Sequence, residues 1–386
     1  MKNIQLPPVL FYQQLVETEA YTTKIHTVLQ NATRPTVLKG VGGSGKTSLC
    51  QAYYQQFGKE YEHCIWVNFL GQTFNSFLFN QDLLTALEIP AFTKEQTEQQ
   101  RLEILIAALA KLKGKKLLII DALDVEITRP ERNFLVRLQQ AGNCTVLASS
   151  RYELQGLGVV KMPVFQLSEA QNIYKVYRYD VEFEDIDATT GKDARFEKET
   201  SKTENELITH LGRHPLLLEL SAKTIKHDFE VTAESLLQIF AENQLTSIDE
   251  EVYVNEVNEE YIFQQHLNII FTVAKLSDTQ QKLLQEISLL PSIPIFYEEL
   301  KTFIHKEIRS DKELKAQVQQ LIKTGWLQQQ AKNVQMHRAV QLSIYEQVAY
   351  EKESCYHVIK NVSKINNKSF RKNPLNGEKY IRPVTY

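Results

Sequence analysis

The sequence is poor in cysteine, in long apolar runs and in net charge. Its four cysteines (Cys50, Cys64, Cys144, Cys355) are scattered and form no C-x-x-C pair. We therefore expect small buried thiols in a reducing compartment, and neither metal ligands nor disulfides. No early apolar stretch is long enough for a signal peptide, and none approaches a membrane span. These absences predict a cytoplasmic protein.

The small net charge and the absence of repeats exclude further classes of protein. A formal net charge of −3 argues against wholesale binding to nucleic acid or to a membrane. The sequence shows no internal repeat and no low-complexity tract. A hydrophobic fraction of 43% is ordinary for a globular protein, and 386 residues predict two or three domains.

One glycine-rich stretch is highly specific. Residues 40–47, Gly-Val-Gly-Gly-Ser-Gly-Lys-Thr, match G-x-x-x-x-G-K-[ST], the P-loop whose backbone N–H groups cradle phosphate. A buried strand predicted at Thr36–Lys39 and a helix opening at Ser48 make an accidental glycine turn the weaker interpretation. We expect Lys46 to reach the β- and γ-phosphates of ATP or ADP and Thr47 to hold Mg²⁺. The predicted nucleotide contacts are Gly40, Gly42, Gly43, Ser44, Gly45, Lys46, Thr47 and Ser48.

Strand and helix patterns alternate from Thr36 onward, which predicts an α/β domain. Residues 116–120 are apolar on both faces, as in the centre of a parallel sheet. The predicted strands are residues 36–39, 63–67, 116–120 and 144–148, with a fifth at Pro163–Phe165. The predicted helices are residues 80–88, 96–113 and 129–140.

The second half is predicted to be mainly helical. Residues 180–204 are acidic and poorly periodic, which indicates an insertion, and residues 249–260 resemble a linker. Helices are expected from 206 to 240 and again from 261. A hairpin around residues 331–333 follows these helices, which is the layout of a winged helix.

Charged residues follow two of the predicted strands. Asp121 ends the apolar strand at 116–120, as in a Walker B segment, and is predicted to hold Mg²⁺; Asp124 could orient the attacking water. The alternative is an aspartate that caps the next element. Arg151 follows the fourth strand and could stabilise a γ-phosphate, although a strand-end arginine is more often surface charge. His337, after the hairpin, would ordinarily be a surface or core histidine.

Together these motifs resemble the STAND class of signalling ATPases, the NB-ARC and NACHT group. The order is P-loop, Walker B, strand-end arginine, Gly212-x-x-Pro215-Leu216, and a winged helix that ends in Met336-His337. The resemblance covers roughly residues 8–360. It implies a five-stranded parallel sheet with helices on both faces, with the Arg151 strand between the P-loop and Asp121 strands. The implied segments are a lead-in (1–33), a nucleotide-binding domain (34–167), a helical domain (168–260), a winged helix (261–345) and a C-terminal helix with a basic tail (346–386).

The resemblance also implies roles for individual residues. Pro215 matches the proline that packs against adenine, Arg151 the sensor arginine, and His337 the histidine that contacts the β-phosphate of ADP and locks the closed state. Phe11 is the best candidate for the adenine-contacting segment before the P-loop, although Gln13-Gln14 replaces the usual Gly-Arg.

Two further positions depart from the family pattern. Ala122 stands where NB-ARC proteins have a second acid, so that the D-A-L-D arrangement is closer to NACHT proteins. Arg338 stands where the winged-helix motif often has an acid.

The leading hypothesis is an ADP-locked switch that opens and oligomerises with ATP and hydrolyses it slowly, in defence or regulatory signalling. Before the lead-in and after residue 360 little sequence remains for an effector or a repeat sensor, which needs at least ~three units. We therefore expect these on partner proteins or on a longer parent chain. The alternatives are a DNA-binding regulator that uses the winged helix and an AAA-type ATPase with continuous turnover. The basic residues at 301–323 are nearly cancelled by interleaved acids, which disfavours the DNA hypothesis.

Overall fold

The structure is a computed structural model, and it describes most of the chain. The described residues are 4–6, 18–69, 81–90, 92–93, 95–125, 127–179, 199–248, 256–290, 292, 294–304, 310–347, 356, 358 and 360–361.

A parallel sheet forms the first part of the described chain. Its strands lie in the order β1-β3-β4-β5-β2-β6. The implied count of five strands is wrong by one, because Gln5–Leu6 pairs with Cys64 and Ile65 at the edge. The implied place of the Arg151 strand is confirmed, since β5 lies between β2 and β4. The strands are β1 (Gln5–Leu6), β2 (Thr36–Lys39), β3 (His63–Asn68), β4 (Lys116–Asp121), β5 (Cys144–Ser150) and β6 (Gly158–Lys161).

The strand predicted at Pro163–Phe165 is misplaced. The last strand of the sheet is β6, which pairs in parallel with β2 from Thr36↔Gly158 to Lys39↔Lys161. Pro163 has no N–H to donate to a ladder, so the strand ends before it. Residues 162–166, which follow β6, belong to no strand or helix.

Helices cover both faces of this sheet, which explains why its strands are apolar on both sides. The helices α1 (Glu19–Asn31) and α2 (Lys46–Phe57) pack on the face that presents Leu117 and Ile119. The opposite face presents Leu118 and Ile120 to three other helices. These are α3 (Gln81–Ala86), α4 (Glu98–Lys111) and α5 (Arg129–Gln140). Three of the cysteines, Cys50, Cys64 and Cys144, are buried free thiols as predicted.

A group of helices follows the sheet. The predicted insertion ends too late, because residues 199–204 are partly structured and a helix starts at Lys202. Ser201 and Glu204 explain this start. The Ser201 Oγ accepts from the Glu204 N–H at 3.1 Å, and the Glu204 carboxylate accepts from the Ser201 N–H at 2.9 Å. The helices are α6 (Leu167–Arg178), α7 (Lys202–His210), α8 (Pro215–His227) and α9 (Ala233–Glu242).

The remaining described residues form helices and a small antiparallel sheet. The predicted linker is partly helical, because the structure has a helix over Glu256–Val273. The hairpin predicted around residues 331–333 is present, and its strands lie in the order β7-β9-β8. The strands are β7 (Ile295–Phe296), β8 (Gln328–Gln330) and β9 (Asn333–Gln335). The helices are α10 (Glu256–Val273), α11 (Asp278–Ser288), α12 (Tyr297–Phe303), α13 (Asp311–Lys323) and α14 (Arg338–Gln347).

One continuous apolar core joins the two helical regions, from Phe165 to Val358. Trp326 lies fully buried within it and meets the Phe271 ring edge to face, with ring centroids 4.9 Å apart. These regions therefore pack as a unit beside the parallel sheet. Within the described ranges, no helix combines the length and apolar character needed to cross a lipid bilayer.

Candidate nucleotide-binding site

The P-loop connects β2 to α2 in the predicted way. Gly43 and Gly45 adopt left-handed φ angles of 77° and 92°, and Gly45 caps the start of α2. Ser44 Oγ donates to the Val41 carbonyl at 2.8 Å, which tightens the turn. The Lys46 ammonium donates to the carbonyls of Gly40 (2.7 Å) and Val41 (2.8 Å). The loop therefore holds its lysine over the helix N-terminus, where an anion is favoured.

Asp121 lies beside the first turn of α2. Its Oδ1 accepts from Thr47 Oγ1 at 3.0 Å and from Ser149 Oγ at 2.5 Å. Burial raises the pKa of this carboxyl, while the two hydroxyl donors and the Lys46 charge oppose the rise. Ser149 is a site residue that the sequence analysis did not single out, and its hydroxyl also accepts from the Ala122 N–H at 2.8 Å.

Thr47 and Asp121 fit a Mg²⁺ ion that arrives with a nucleotide. Hydroxyl and carboxylate oxygens are the ligands that Mg²⁺ prefers. Among the described residues no group of three or more His, Cys, Asp or Glu side chains could hold a metal. Phosphate oxygens and water would therefore have to complete the shell, which is the usual arrangement for Mg²⁺ at phosphates. Bound there, the ion would neutralise negative charge on the phosphates.

Asp124 and Arg151 form a buried pair at the same edge of the sheet. Asp124 Oδ1 accepts from the Arg151 backbone N–H at 2.7 Å, and Oδ2 accepts from Arg151 Nε at 3.0 Å. Their side chains are 6% and 9% exposed. The turn between Asp121 and Asp124 passes through Ala122, which has a left-handed φ of 58°. A strained non-glycine residue of this kind is common beside functional sites.

The start of α8 packs against the P-loop. A Cβ atom on Gly45 would lie 4.0 Å from Pro215 Cγ, and one on Gly43 would lie 2.9 Å from His214 Cε1. His214 is 2% exposed. Burial lowers its pKa to about 3, and the nearby Lys46 and His337 act in the same direction. Pro215, for which the resemblance implies a contact to adenine, lies beside the P-loop, whereas His214 was not predicted as a site residue.

The start of α14 approaches the loop from another side. A Cβ atom on Gly42 would lie 3.7 Å from Ala339 Cβ. His337 Nδ1 accepts from the Ala339 N–H at 3.1 Å, so the neutral ring has its proton on Nε2. Burial lowers the pKa of His337 to about 4, together with the charges of Lys46 and Arg151. The His337 side chain is therefore a neutral donor at pH 7.

One pocket unites these elements. Its polar part is lined by Gly42, Gly43, Gly45, Lys46, Thr47, Ser48, Asp121, Asp124, Arg151, His337 and Arg338. Its apolar part is lined by Tyr21, Met162, Pro163, Phe165, Tyr177 and Pro215. Gly40 and Ser44 shape the loop behind this wall. Phe11, the predicted adenine contact, lies outside the described residues.

The apolar part of the pocket was not predicted, apart from Pro215. Tyr21 on α1 meets the Phe165 ring edge to face at 5.6 Å, and its hydroxyl donates to Glu169 Oε2 at 2.7 Å. Met162 enters the pocket directly after β6. Tyr21 lies far from Met162 and Phe165 in sequence, and none of the three belongs to a motif. Their meeting therefore depends on packing between α1 and the segment that follows β6.

Residues 30–157, about a third of the chain, match the model of a protein family described as an AAA domain. They have the fold of a P-loop NTPase domain. The match contains the P-loop, Asp121, Asp124 and Arg151. No curated protein matches the sequence.

One similar solved structure supports the fold. A STAND protein with a tetratricopeptide repeat sensor from Pyrococcus horikoshii overlays on 92% of this chain with a TM-score of 0.54 and 19% identity. The chain spans 46% of the length of that protein. A Walker-type ATPase of Pyrococcus abyssi has 14% identity and a TM-score of 0.37, with 88% of this chain and 99% of that one covered. The Aeropyrum pernix ORC1 protein, solved in complex with DNA, has 15% identity and a TM-score of 0.35, with 88% and 94% covered. At these last two TM-scores neither likeness bears on fold or function.

Proposed function

We propose that the chain is an ATP- and ADP-binding switch of the STAND class, closed with ADP and oligomerisation-competent with ATP. One observation carries this proposal: the pocket at the P-loop is walled by three parts of the chain. Lys46 comes from the P-loop, Pro215 from the start of α8, and His337 from the end of the hairpin. A ligand that contacts all three ties the C-terminal region to the sheet.

ADP would favour the closed arrangement through its phosphates. Lys46 and the loop N–H groups would bind them from one side. The Nε2–H of neutral His337 would donate to the β-phosphate from the other side. A hydrogen bond to a charged group contributes ~1.5–3 kcal/mol, which is enough to shift a closed–open equilibrium about ten- to a hundredfold. The adenine would lie in the apolar part of the pocket, against Pro215.

ATP must distinguish the two states to act as a switch, since a ligand that binds both equally shifts nothing. A γ-phosphate would enter the part of the pocket that contains Arg151 and Arg338. We propose that the closed arrangement accommodates it poorly, so that the C-terminal region moves away and the chain oligomerises. Slow hydrolysis would use Arg151 to stabilise the γ-phosphate and Asp124 to orient water, with Mg²⁺ at Thr47 and Asp121. The signal and the effector would come from partners or from other parts of a longer protein.

A second candidate is an AAA-type ATPase with continuous turnover, which the match of residues 30–157 to an AAA domain favours. The two proposals differ in rate. A switch retains ADP and turns over slowly, whereas a continuous ATPase hydrolyses ATP quickly without a partner.

DNA binding through the hairpin region finds less support. Lys301, one of the basic residues of this region, forms ion pairs with Glu298 and Asp311, both at 2.9 Å. A cation that is already paired offers less charge to a phosphate backbone.

The nucleotide that stays bound through purification tests the proposal. The protein would be passed through gel filtration, denatured, and its nucleotide identified by chromatography. Retained ADP near one mole per mole of protein, with slow release, supports the switch. Nucleotide-free protein with fast turnover contradicts the switch and favours the continuous ATPase.

A further inference from the structure

We propose that Arg338 is a positioning residue that latches the start of α14 to the parallel sheet through Asp124. Its Nη1 lies 3.5 Å from Asp124 Oδ2, and the two side chains are 26% and 6% exposed. This contact crosses from the C-terminal region to the turn after β4. The resemblance stated above assigns no such contact, and an acid is common at this position in that class.

Asp124 is the partner in this contact that is held firmly to the parallel sheet. Its turn is anchored to β5 by a bond from the Leu123 N–H to the Ser149 carbonyl (2.8 Å) and by one from Ser150 Oγ to the Leu123 carbonyl (2.7 Å). The Arg151 backbone N–H also holds the Asp124 carboxylate at 2.7 Å. When the two regions separate, the carboxylate therefore stays with the sheet and Arg338 leaves.

The charges around Asp124 show which of its contacts can be lost when the two regions separate. Lys46, Arg151 and Arg338 bring three positive charges to the pocket, and Asp121, Asp124 and Glu219 bring three negative ones. Glu219 is paired with Lys223 at 2.5 Å, which leaves the two aspartates to face the three cations. Asp124 shares its single charge between two guanidinium groups. Removal of Arg338 therefore leaves Asp124 still paired with Arg151, whereas removal of the Asp124 charge leaves two partly buried arginines facing each other. The contact between Arg338 and Asp124 can therefore break without leaving a buried carboxylate unpaired.

The latch has a consequence for catalysis, which rests on the proposed function. Arg151 donates to both oxygens of Asp124, and with Arg338 in place a second guanidinium group also lies against Oδ2. Departure of Arg338 frees one side of Oδ2 to accept from a water molecule. In the closed state Arg338 thus restrains Asp124, the residue that is proposed to orient the attacking water. Opening removes this restraint.

The test measures opening first without nucleotide, so that it does not depend on the proposed function. Fluorophores at exposed positions 129 and 315 on the full-length chain report the distance between the sheet and α13. Arg338→Gln should raise the open fraction roughly tenfold, the size expected for coupling between contacting charges. Arg338→Lys, which keeps the charge, should restore most of the closed fraction. Lys332→Gln removes an exposed charge from the same region and should change nothing.

A double-mutant cycle shows whether Arg338 acts through Asp124. Asp124→Asn should open the protein at least as far as Arg338→Gln, because Arg151 and Arg338 then repel each other, and the double variant should open it no further than Arg338→Gln alone. Additive effects, or an Arg338→Gln protein as closed as the parent, would overturn the latch.

ATP hydrolysis and ADP binding complete the test. Arg338→Gln should hydrolyse ATP several-fold faster than the parent, mainly through kcat. A slower rate would overturn the restraint, because Arg338 would then support the γ-phosphate directly. Failure of the parent to bind ADP would contradict the proposed function and leave the distance measurement intact.

Discussion

Gly43 of the P-loop and Leu216 of α8 lie in close contact. A Cβ atom built on Gly43 would stand 2.8 Å from both Cβ and Cδ2 of Leu216. Gly43 also has a φ of 77°, which L side chains rarely adopt. The phosphate-binding loop therefore packs against the helical region at Gly43, a position where any other residue would be strained.

Gly43→Ala is expected to weaken the docking of α8 on the loop. A left-handed φ costs a non-glycine residue ~1–2 kcal/mol, and the contact with Leu216 adds to this cost. Thermal unfolding without nucleotide should show a lower Tm, and ADP affinity should fall as well. Gly42→Ala is the matched control, because its Cβ would lie 3.7 Å from Ala339 Cβ in ordinary contact. Equal loss of stability in both variants would contradict this account of Gly43.

Lys46→Ala is expected to abolish measurable nucleotide binding. Lys46 is the P-loop cation, and its ammonium is already held over the loop by the Gly40 and Val41 carbonyls. Calorimetry with ADP and ATP would measure the loss, with Lys24→Ala on the exposed side of α1 as the control. An unchanged affinity would show that the nucleotide binds elsewhere.

Asp121→Asn should lower Mg²⁺-dependent hydrolysis far more than ADP binding. Asparagine keeps the shape that meets Thr47 and Ser149 but removes the charge that holds the metal. Loss of such a group typically lowers kcat by roughly 100-fold or more, while ADP still has the loop backbone. Steady-state hydrolysis and ADP titrations would be compared on the same preparation. Similar losses in both measurements would indicate a structural role for Asp121.

The stability of the nucleotide-free protein should fall as the pH drops below about 6.5. Burial holds the pKa of His337 near 4, below the ordinary value of 6.5. Between these values the unfolded chain binds a proton that the folded chain does not, so stability is complete above pH 6.5 and is lost toward pH 4. A tenfold change in proton affinity is worth about 1.4 kcal/mol. Denaturant unfolding at several pH values should give a shallower slope for His337→Gln than for the parent, and equal slopes would contradict this environment for His337.

That the polar pocket residues lie close together could be predicted from the sequence, because each of them belongs to a local pattern. Gly40–Thr47 is a contiguous motif, and Asp121 and Arg151 each follow an apolar strand. In a parallel sheet the carboxyl ends of neighbouring strands share one edge, so that strand-end residues meet. The order of β2, β5 and β4 brought Arg151 and Asp121 to that edge as expected.

The apolar part of the site and the inter-region contacts could not be predicted in this way. Tyr21, Met162 and Tyr177 are ordinary apolar residues whose meeting depends on packing between distant elements. In the sequence Arg338 stands out only as a departure from a motif. Its contact with Asp124 could not be predicted, because Asp124 lies more than 200 residues earlier. The strand predicted at Pro163 is wrong for a different reason, because proline has no N–H to donate to a ladder whatever the apolar pattern around it.

The rate of ADP release from a His337→Ala variant tests the central claim most directly. Fluorescent ADP would be displaced by excess ADP from the parent, from His337→Ala and from His227→Ala, an exposed control at the other end of α8. If His337 ties the C-terminal region to the β-phosphate, its loss should speed release by about ten- to a hundredfold. It should also raise the open or oligomeric fraction in ATP, while the control matches the parent. An unchanged rate of ADP release in His337→Ala would contradict the switch and leave only a P-loop ATPase domain that binds nucleotide.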